Sequence, residues 1–432
     1  MLIEFTVKNF RSFQEEAIFS MLPEKKIKDS KNSIIETGLE QVPELHNVAV
    51  IYGANASGKS TLLDSIHVMR HIVLHSAKDT IKNQKLPYRP FRLSATSLKE
   101  PTLFSIQFIA QGVRYHYGFA YNEERIIEEF LDAYPKGYKQ GWFERKWKDT
   151  KYEYNFSPLF SGKKESIRHD TRENTLFLSK AVDNDNKNLE PVWDWFRELS
   201  VNNRGSREKT SKLCTTDEGK AKVLEFLLDA DIPSIKAITA GYKEINLDIQ
   251  SDDDEPAESR ELKGVLKRLI EITNNNKDIN RIPEIKFMRK AKDSEDLIPF
   301  DLNDDESEGT KKLFDLVALW INASEKQVPF LYDELDTKLH PNLQKFLVNK
   351  FVSTKGSKAQ LIFTSHNTNF MKDRTLRRDQ FWFTEFKLDK GTDLYPLTAV
   401  KEKASSPRKG EALERGYLEG RYGATPYLPL ED

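Results

Sequence analysis

The nine residues at positions 53–61, GANASGKST, carry the clearest chemistry in the chain. Two glycines separated by four residues, followed by a lysine and a hydroxyl, match the P-loop pattern. In such a loop the glycines let backbone N–H groups converge on phosphate, the lysine adds positive charge for the β- and γ-phosphates, and the hydroxyl binds Mg²⁺. The pattern predicts a site for ATP and Mg²⁺ formed by Gly53, Asn55, Gly58, Lys59, Ser60 and Thr61, with Ser60 also a metal ligand.

Two acidic residues end an apolar run at positions 328–334, VPFLYDE, and indicate the second half of a nucleotide site. Asp333 is predicted to hold Mg²⁺ through water, and Glu334 to polarise the water that attacks the γ-phosphate. Another apolar run at positions 360–366, QLIFTSH, ends in His366, whose imidazole could contact the γ-phosphate. Glu334 and His366 are therefore the predicted catalytic residues, and Asp333 is a predicted metal ligand.

A helix start at positions 306–310, ESEGT, offers a second place for an anion. Ser307 and Gly309 precede the helical pattern KKLFDLVALW, and backbone N–H groups at a helix N-terminus can bind phosphate. A plain helix cap is the alternative interpretation. Because the P-loop already supplies a phosphate cradle, this second helix start is useful if it faces the nucleotide of another subunit.

A core sheet and its helices must bring these residues together. The run HNVAVIY before the P-loop is typical of a buried strand, and Leu62, Ile66, Met69 and Val73 recur after it at helical spacing. Alternating apolar segments between positions 100 and 135 predict a meander of antiparallel strands. We therefore expect an α/β fold with a P-loop core sheet, an antiparallel β-subdomain and an inserted helical lobe.

The chain is long enough for more than one lobe. It has 432 residues, of which 38% are hydrophobic and 31% charged, as in a globular protein. The patterns PVWDWFRELS, GKAKVLEFLLDAD and RELKGVLKRLIEITNNN predict helices in its middle. The predicted segments are an N-terminal half-head with the P-loop and β-subdomain at 1–165, the helical lobe at 166–282, the C-terminal half-head at 283–400 and a tail at 401–432.

Composition excludes several classes of protein. The net charge of −1 gives no argument for nucleic-acid binding, and a single cysteine, Cys214, excludes an internal disulfide framework. No apolar run approaches the ~18 residues of a membrane-spanning helix. The sequence thus predicts a cytoplasmic protein with no membrane partner.

The four elements, in this order, resemble the ABC-type ATPase superfamily. ESEGT stands in the place of its signature motif, DELD in that of Walker B and the D-loop, and His366 in that of the switch histidine. The N-terminal VKNFRSF is similar to the SMC/Rad50/RecF branch. RENTLFLSKA, DELDTKLHP, FTSHNTNFM, RRDQFWFTEF and YLEGRYGATPYL resemble the AAA15 group, especially the ATPase components of AbiL/RloA-type phage-defence pairs.

In that superfamily two heads sandwich two ATP molecules, and the signature of each head completes the site of the other. The resemblance implies an ATPase that self-associates as a dimer or higher oligomer. It implies that Ser307 and Gly309 contact the γ-phosphate held by the partner head, and that Asp336 lies at the dimer seam. Arg11, in NFRSF, resembles the arginine that reaches the nucleotide phosphates in SMC and Rad50 heads.

Two features of the superfamily match less closely. The Q-loop glutamine has two candidates, Gln84 and Gln107. The signature has Glu308 in place of a glycine and Thr310 in place of the glutamine, so slow hydrolysis is expected.

The resemblance implies an ATP-gated sensor and scaffold in anti-phage defence, controlling a separate co-encoded effector that could be a nuclease. The residues after His366 contain no Asp-x-Asp cluster of a Toprim nuclease, and the chain has no room for long coiled-coil arms. A RecF-like DNA-repair ATPase that acts on DNA is one alternative. The other is an ATP-dependent scaffold that does not hydrolyse its nucleotide.

Three further features have ordinary structural interpretations. His67, His71 and His75 share a helix face and could bind a metal, but no carboxylate or cysteine accompanies them, so a structural or solvated face is favoured. The basic and aromatic tail SPRKGEALERGYLEGRYGA could touch nucleic acid, although docking onto the body or a partner is favoured. Trp193 and Trp195 are expected in the core of the helical lobe.

Overall fold

The computed structural model describes residues 1–27, 33–78, 81, 83–201, 206–230, 232–244, 281–353, 356–372, 376–400 and 412–426. The chain divides into two compact units. The first combines Met1–Asn202 with Trp320–Asp432, and the second is Asn203–Leu319.

The secondary structure elements of the described residues are as follows. The strands are β1 (Leu2–Lys8), β2 (Ala17–Ser20), β3 (Ile34–Leu39), β4 (Val42–His46), β5 (Val48–Gly53), β6 (Thr102–Ala110), β7 (Val113–Tyr121), β8 (Ile126–Tyr134), β9 (Gln140–Lys148), β10 (Lys151–Phe156), β11 (Ser200–Val201), β12 (Ile235–Glu244), β13 (Arg281–Lys290), β14 (Leu297–Asp301), β15 (Pro329–Tyr332), β16 (Gln360–Thr364), β17 (Phe381–Lys387) and β18 (Gly391–Pro396). The helices are α1 (Lys59–His75), α2 (Lys164–Asp170), α3 (Phe177–Asp183), α4 (Glu190–Glu198), α5 (Ser206–Leu213), α6 (Asp217–Asp229), α7 (Glu308–Lys326), α8 (Pro341–Ser353), α9 (Asn369–Lys372) and α10 (Leu413–Leu418).

The P-loop lies on the central sheet of the first unit, which has the strand order β11-β15-β16-β5-β17-β18. Strand β5 pairs in parallel with β16 on one side and β17 on the other, and all its residues are buried. Continuous apolar sequence is what a strand covered on both faces requires. The predicted strand before the P-loop and the predicted helix after it are confirmed, and α1 buries Leu62, Ile66, Met69 and Val73.

A second, antiparallel sheet of the first unit has the order β10-β9-β8-β7-β6-β1-β2. The N-terminal strand β1 pairs with β6, so the start of the chain joins the predicted meander β6-β7-β8. The short hairpin β3-β4 forms a separate ladder. The predicted α/β class, with a P-loop core sheet and an antiparallel β-subdomain, is confirmed.

A buried ion pair between neighbouring strands of this sheet fixes the N-terminus of α3. Arg145 Nε lies 3.0 Å from Glu129 Oε2, and both side chains are fully buried. Glu129 also accepts hydrogen bonds from the Tyr117 hydroxyl and from the N–H groups of Phe177 and Leu178. Because the first N–H groups of a helix have no partner within the helix, a carboxylate there stabilises the helix. The segment RENTLFLSKA is thereby held against the antiparallel sheet.

Helix α4 also packs on the antiparallel sheet. The ring of Trp195 stacks on Phe108 of β6, with 4.3 Å between the ring centroids. Trp195 therefore belongs to the core of the first unit, because its ring fits the apolar face of that sheet, and not to the core of a separate lobe.

The described part of the C-terminal tail packs on the P-loop core sheet. In α10, Tyr417 stacks on Phe383 of β17 at 5.4 Å and contacts Tyr52 of β5 at 5.6 Å between ring centroids. Tyr422 lies 6.3 Å from the Phe383 ring. This part of the tail docks on the body of the first unit, whereas the basic residues within positions 401–411 lie outside the described residues.

The second unit contains helices and a sheet. Its antiparallel strands have the order β12-β13-β14, and the predicted helix GKAKVLEFLLDAD is confirmed as α6. The sequence did not predict β12, which lies within the range expected to be helical. The predicted helix RELKGVLKRLIEITNNN lies outside the described residues, so the lobe boundaries of 166–282 stay a prediction. None of the helices in the described ranges combines the length and apolar character needed to cross a bilayer.

Candidate nucleotide site

The glycines of the P-loop are required by the strands beside it. A β-carbon at Gly53 would lie 2.5 Å from the carbonyl oxygen of Thr384 in β17. At Gly58, the residue before α1, φ is +111° and a β-carbon would lie 2.5 Å from Thr392 Oγ1 of β18. These distances are too short for any side chain, so the hairpin β17-β18 closes one side of the loop and fixes its shape.

Hydroxyl groups join the loop to that hairpin. Ser57 Oγ and Thr384 Oγ1 lie 2.7 Å apart, and Thr392 Oγ1 donates a hydrogen bond of 2.9 Å to the Ser57 carbonyl oxygen. Both threonines are buried and were missed by sequence reasoning. The segment RRDQFWFTEF carries a family resemblance, but nothing in its pattern shows that Thr384 faces the loop.

Lys59 begins α1 and brings a buried positive charge to the loop. Its ammonium donates hydrogen bonds of 2.9 Å to the Gly53 carbonyl and 3.0 Å to the Ala54 carbonyl. Burial lowers the pKa of Lys59, and the negative charges of Asp333, Glu334 and Asp336 oppose that shift. The lysine of the P-loop and the predicted acidic residues therefore share one electrostatic environment.

The sheet topology explains why these residues meet. Strands β15, β16 and β5 are adjacent and parallel, so their carboxyl ends lie at one edge of the sheet. Asp333 and Glu334 follow β15, His366 follows β16, and the P-loop follows β5. Ligand sites of α/β folds form outside the carboxyl ends of such strands. The structure thus brings the P-loop, the predicted acidic pair and the histidine to the same edge.

A threonine at the end of β16 contacts the acidic pair directly. Thr364 Oγ1 donates a hydrogen bond of 2.6 Å to Asp333 Oδ1 and accepts one of 2.7 Å from the N–H of Glu334. Glu334 has φ of +51°, in the left-handed region, and its side chain is exposed at the sheet edge. An observed backbone outlier of this kind occurs frequently at functional sites.

The segment after Glu334 is tied to the histidine loop. The N–H of His366 donates a hydrogen bond of 2.9 Å to Asp336 Oδ2, and the imidazole is exposed. The buried amide of Gln344 in α8 donates to the Asp336 carbonyl at 2.9 Å, and Asn367 donates to Gln344 Oε1. The Tyr52 hydroxyl donates to the Asn367 carbonyl at 2.8 Å. The predicted seam residue and switch histidine are therefore neighbours within one chain.

Arg11 lies beside the helix that follows the P-loop. Its Nη1 is 2.6 Å from Asp64 Oδ2 of α1, and both side chains are partly exposed. An ion pair at such exposure is worth less than about 1 kcal/mol, so it does not lock the guanidinium in place. The phosphate-binding role of Arg11 stays a prediction.

The signature residues Ser307 and Gly309 lie in the second unit. Ser307 Oγ accepts a hydrogen bond of 3.2 Å from the N–H of Thr310, as the cap of α7. The preceding residue, Glu306, is held by Arg289, with 2.6 Å between Oε1 and Nη1. The helix start is therefore firmly built, and the side chain of Ser307 is exposed.

Other candidates have contacts of their own. Gln107 Nε2 donates to Glu4 Oε2 at 2.9 Å within the antiparallel sheet. Gln84 Oε1 accepts from the N–H of Ile81 at 3.0 Å. Neither contact identifies a Q-loop, so that role stays open. Within the described ranges no group of three or more His, Cys, Asp or Glu residues could hold a metal.

The residues at the sheet edge fit MgATP. Both P-loop glycines have neighbours that exclude a side chain, Lys59 supplies the positive charge, and Ser60 exposes its hydroxyl on the first turn of α1. Asn55 is exposed and Thr61 half-buried in the same segment. Mg²⁺ prefers oxygen ligands, with a few from protein and the rest from water and phosphate, and Ser60 with Asp333 is such a set.

Comparison with known proteins agrees with a nucleotide-binding domain. Residues 48–372 match a family model described as "AAA domain, putative AbiEii toxin, Type IV TA system". The chain matches none of the curated proteins. It is similar to the SMC head domain from Thermotoga maritima, with 14% identity and a TM-score of 0.39 over 91% of this chain and 98% of that one.

A structure described as the SmcHead bound to the C-winged helix domain of ScpA gives similar values. Its identity is 14% and its TM-score 0.39, with 91% of this chain and 96% of that chain covered. At that TM-score neither likeness supports a conclusion about fold or function.

Proposed function

The chain belongs to the AbiEii-type AAA-domain family, and we propose that it binds ATP with Mg²⁺ and hydrolyses it to ADP and phosphate. One observation carries this proposal. The P-loop lysine shares its environment with Asp333, Glu334 and Asp336 at the carboxyl edge of a parallel sheet. A triphosphate needs a positive charge beside its phosphates, and its metal ion needs carboxylates nearby.

Each residue has a distinct proposed task. The P-loop N–H groups and Lys59 bind the β- and γ-phosphates, while Ser60 and Asp333 hold Mg²⁺. When bound, the ion neutralises charge that develops on the phosphate oxygens. Glu334 orients and polarises the attacking water, and the exposed His366 senses the γ-phosphate.

Hydrolysis of ATP by the purified chain tests this proposal. We expect phosphate release that requires Mg²⁺ and disappears in Lys59→Ala and Glu334→Gln. Lys59→Ala should also weaken ATP binding, whereas Glu334→Gln should bind ATP and fail to release phosphate. Turnover in Glu334→Gln at the wild-type rate would contradict the assignment of Glu334. ATP binding by the wild-type chain without any phosphate release would instead favour the alternative in which ATP is bound but not hydrolysed.

We further propose that two copies close on two nucleotides as an ATP-gated clamp. In this arrangement Ser307 and Gly309 of one copy complete the site built on Lys59 of the other, and Asp336 lies at the seam. The exposed start of α7, which Ser307 caps, supports this, because a helix N-terminus is a favourable place for an anion. The clamp is tested by sedimentation of Glu334→Gln with and without ATP. A protein that stays monomeric in both conditions would contradict the proposed clamp.

The proposed biological role is control of a separate effector in phage defence. The family description includes the words "putative AbiEii toxin, Type IV TA system", which we take in support of a defence role. A co-encoded protein should bind in an ATP-dependent way and change activity when Glu334 is replaced. Stimulation of the ATPase by DNA without any partner would instead favour the DNA-repair alternative, which the net charge of −1 does not support.

A further inference from the structure

We propose that Thr364 is the positioning residue of the hydrolytic centre, a hydroxyl that aims both Asp333 and Glu334. The inference rests on the proposed ATPase function and adds a residue to it. Thr364 ends β16, and its side chain is fully buried. Its role is to act through the acidic pair and not to touch the nucleotide.

The contacts of Thr364 reach three successive residues after β15. Oγ1 donates to Asp333 Oδ1 at 2.6 Å and accepts from the N–H of Glu334 at 2.7 Å. The Thr364 carbonyl oxygen accepts from the N–H of Leu335 at 3.2 Å. The acidic turn is therefore fastened to the neighbouring strand through one side chain and one carbonyl.

A hydroxyl suits this place because it can donate and accept at once. Donation to Asp333 Oδ1 fixes the rotation of the carboxylate, which determines where Oδ2 points for the metal shell. A hydrogen bond to an ionised acceptor is also stronger than one between neutral groups. Valine has nearly the same shape but can neither donate nor accept. Replacing Thr364 by valine therefore removes the two hydrogen bonds while the packing of the side chain is largely kept.

The second contact holds the backbone of Glu334. A non-glycine residue at φ of +51° persists only where its surroundings impose that conformation. The N–H of Glu334 is fixed by Thr364 Oγ1, and its carboxylate accepts from Thr337 Oγ1 at 3.1 Å. Without the first of these hydrogen bonds, the residue can relax, and the carboxylate moves away from the attacking water.

Threonine is favoured over serine by stiffness. Two heavy atoms on the β-carbon restrict χ1, so the threonine hydroxyl stays aimed at the acidic turn more firmly than a serine hydroxyl would. Serine keeps the hydroxyl but rotates more freely, which predicts a partial effect.

The test compares Thr364→Val, Thr364→Ala and Thr364→Ser in the full chain. A displacement of about 1 Å of a catalytic group can cost about 100-fold in rate, so Thr364→Val and Thr364→Ala should lower kcat by about 100-fold with little change in KM. Thr364→Ser should recover kcat to within about tenfold of wild type. Thr175→Val is the matched control, since Thr175 is also buried and donates to the Ser76 carbonyl at 3.0 Å, away from this edge.

A binding measurement separates positioning from general damage. ATP affinity is titrated with Mg²⁺ and with EDTA, and melting temperatures are recorded. In Thr364→Val the affinity for ATP in EDTA should stay at the wild-type value, whereas the increase in ATP affinity caused by Mg²⁺ should be smaller than in wild type. If Thr364→Val does not fold, the smaller alanine variant is used for the same comparison.

Three results would overturn the inference: wild-type kcat and Mg²⁺ tightening in Thr364→Val, a serine variant as slow as valine, or equal losses in Thr175→Val. These results are distinct from failure of the proposed function. If the wild-type chain released no phosphate, the proposal of ATP hydrolysis would be refuted. The role of Thr364 would be refuted separately, by a Thr364→Val variant in which Mg²⁺ increases ATP affinity as much as in wild type.

Discussion

Replacing Gly58 by alanine is expected to weaken ATP binding severely, because two costs fall on one residue. The φ of +111° is strained for any L side chain, and the added carbon would lie 2.5 Å from Oγ1 and 2.7 Å from Cγ2 of Thr392. Backbone strain costs about 1–3 kcal/mol, and forcing a methyl group into packed surroundings costs about 1–3 kcal/mol. The loop can avoid the sum only by leaving its present conformation.

The loss of affinity follows from the fraction of molecules in which the P-loop has the conformation that binds ATP. The lower end of the sum, about 2 kcal/mol, corresponds to roughly 30-fold weaker binding at ~1.4 kcal/mol per tenfold. The dissociation constant of MgATP is measured by titration with a fluorescent ATP analogue. The melting temperature of the same sample shows whether the chain is folded.

Two further variants divide the effect into its parts. Gly112→Ala is the matched control, since Gly112 has φ of +75° with nothing within 4 Å of an added carbon, so it adds strain without a close contact. It should bind MgATP like wild type. Gly58→Ala combined with Thr392→Ala removes the close atoms and should recover the packing part of the loss, about 1 kcal/mol or roughly fivefold in affinity. Wild-type affinity in Gly58→Ala alone would refute this reasoning.

Three other perturbations follow from the same structure. Glu334→Gln should keep its ATP through gel filtration and elute as a larger assembly than wild type. Rapid loss of the nucleotide would count against the proposed role of Glu334. Arg145→Met leaves the buried Glu129 carboxylate without its cation and should lower the free energy of unfolding by about 3–5 kcal/mol in urea titration. In contrast, Lys146→Met removes only the partly exposed ion pairs with Glu128 and Glu144 and should change it by less than about 1 kcal/mol. The buried Cys214 has its pKa raised to about 11 by burial, so at pH 8 a maleimide should label it only as the second unit opens. Immediate labelling of the native chain would show that the second unit does not bury this thiol.

The parts predicted well from sequence are those with local signals. The P-loop carries its own pattern of glycines, lysine and hydroxyl, and the apolar run HNVAVIY and the spacing of Leu62, Ile66 and Met69 are visible in one window of sequence. The acidic pair and the histidine follow apolar runs, so their places at the ends of strands could be predicted, whereas the adjacent, parallel order of those strands is known from the structure.

The parts that were missed depend on contacts between distant strands. Thr364, Thr384 and Thr392 are ordinary strand residues until the register puts them beside the acidic pair or the P-loop. No periodicity distinguishes a threonine that faces a loop from one that faces the core. Strand β12 was missed because its partner β13 follows only after a long sequence separation.

The proposed clamp is tested most directly by mixing two inactive variants, Lys59→Ala and Ser307→Arg. If each site combines the P-loop of one copy with the signature of another, a mixed dimer contains one site with both defects and one intact site. Since about half of the dimers are mixed, mixing should recover up to about a quarter of wild-type ATP hydrolysis. A mixture as inactive as either variant alone, with mixed dimers shown to form, would contradict it.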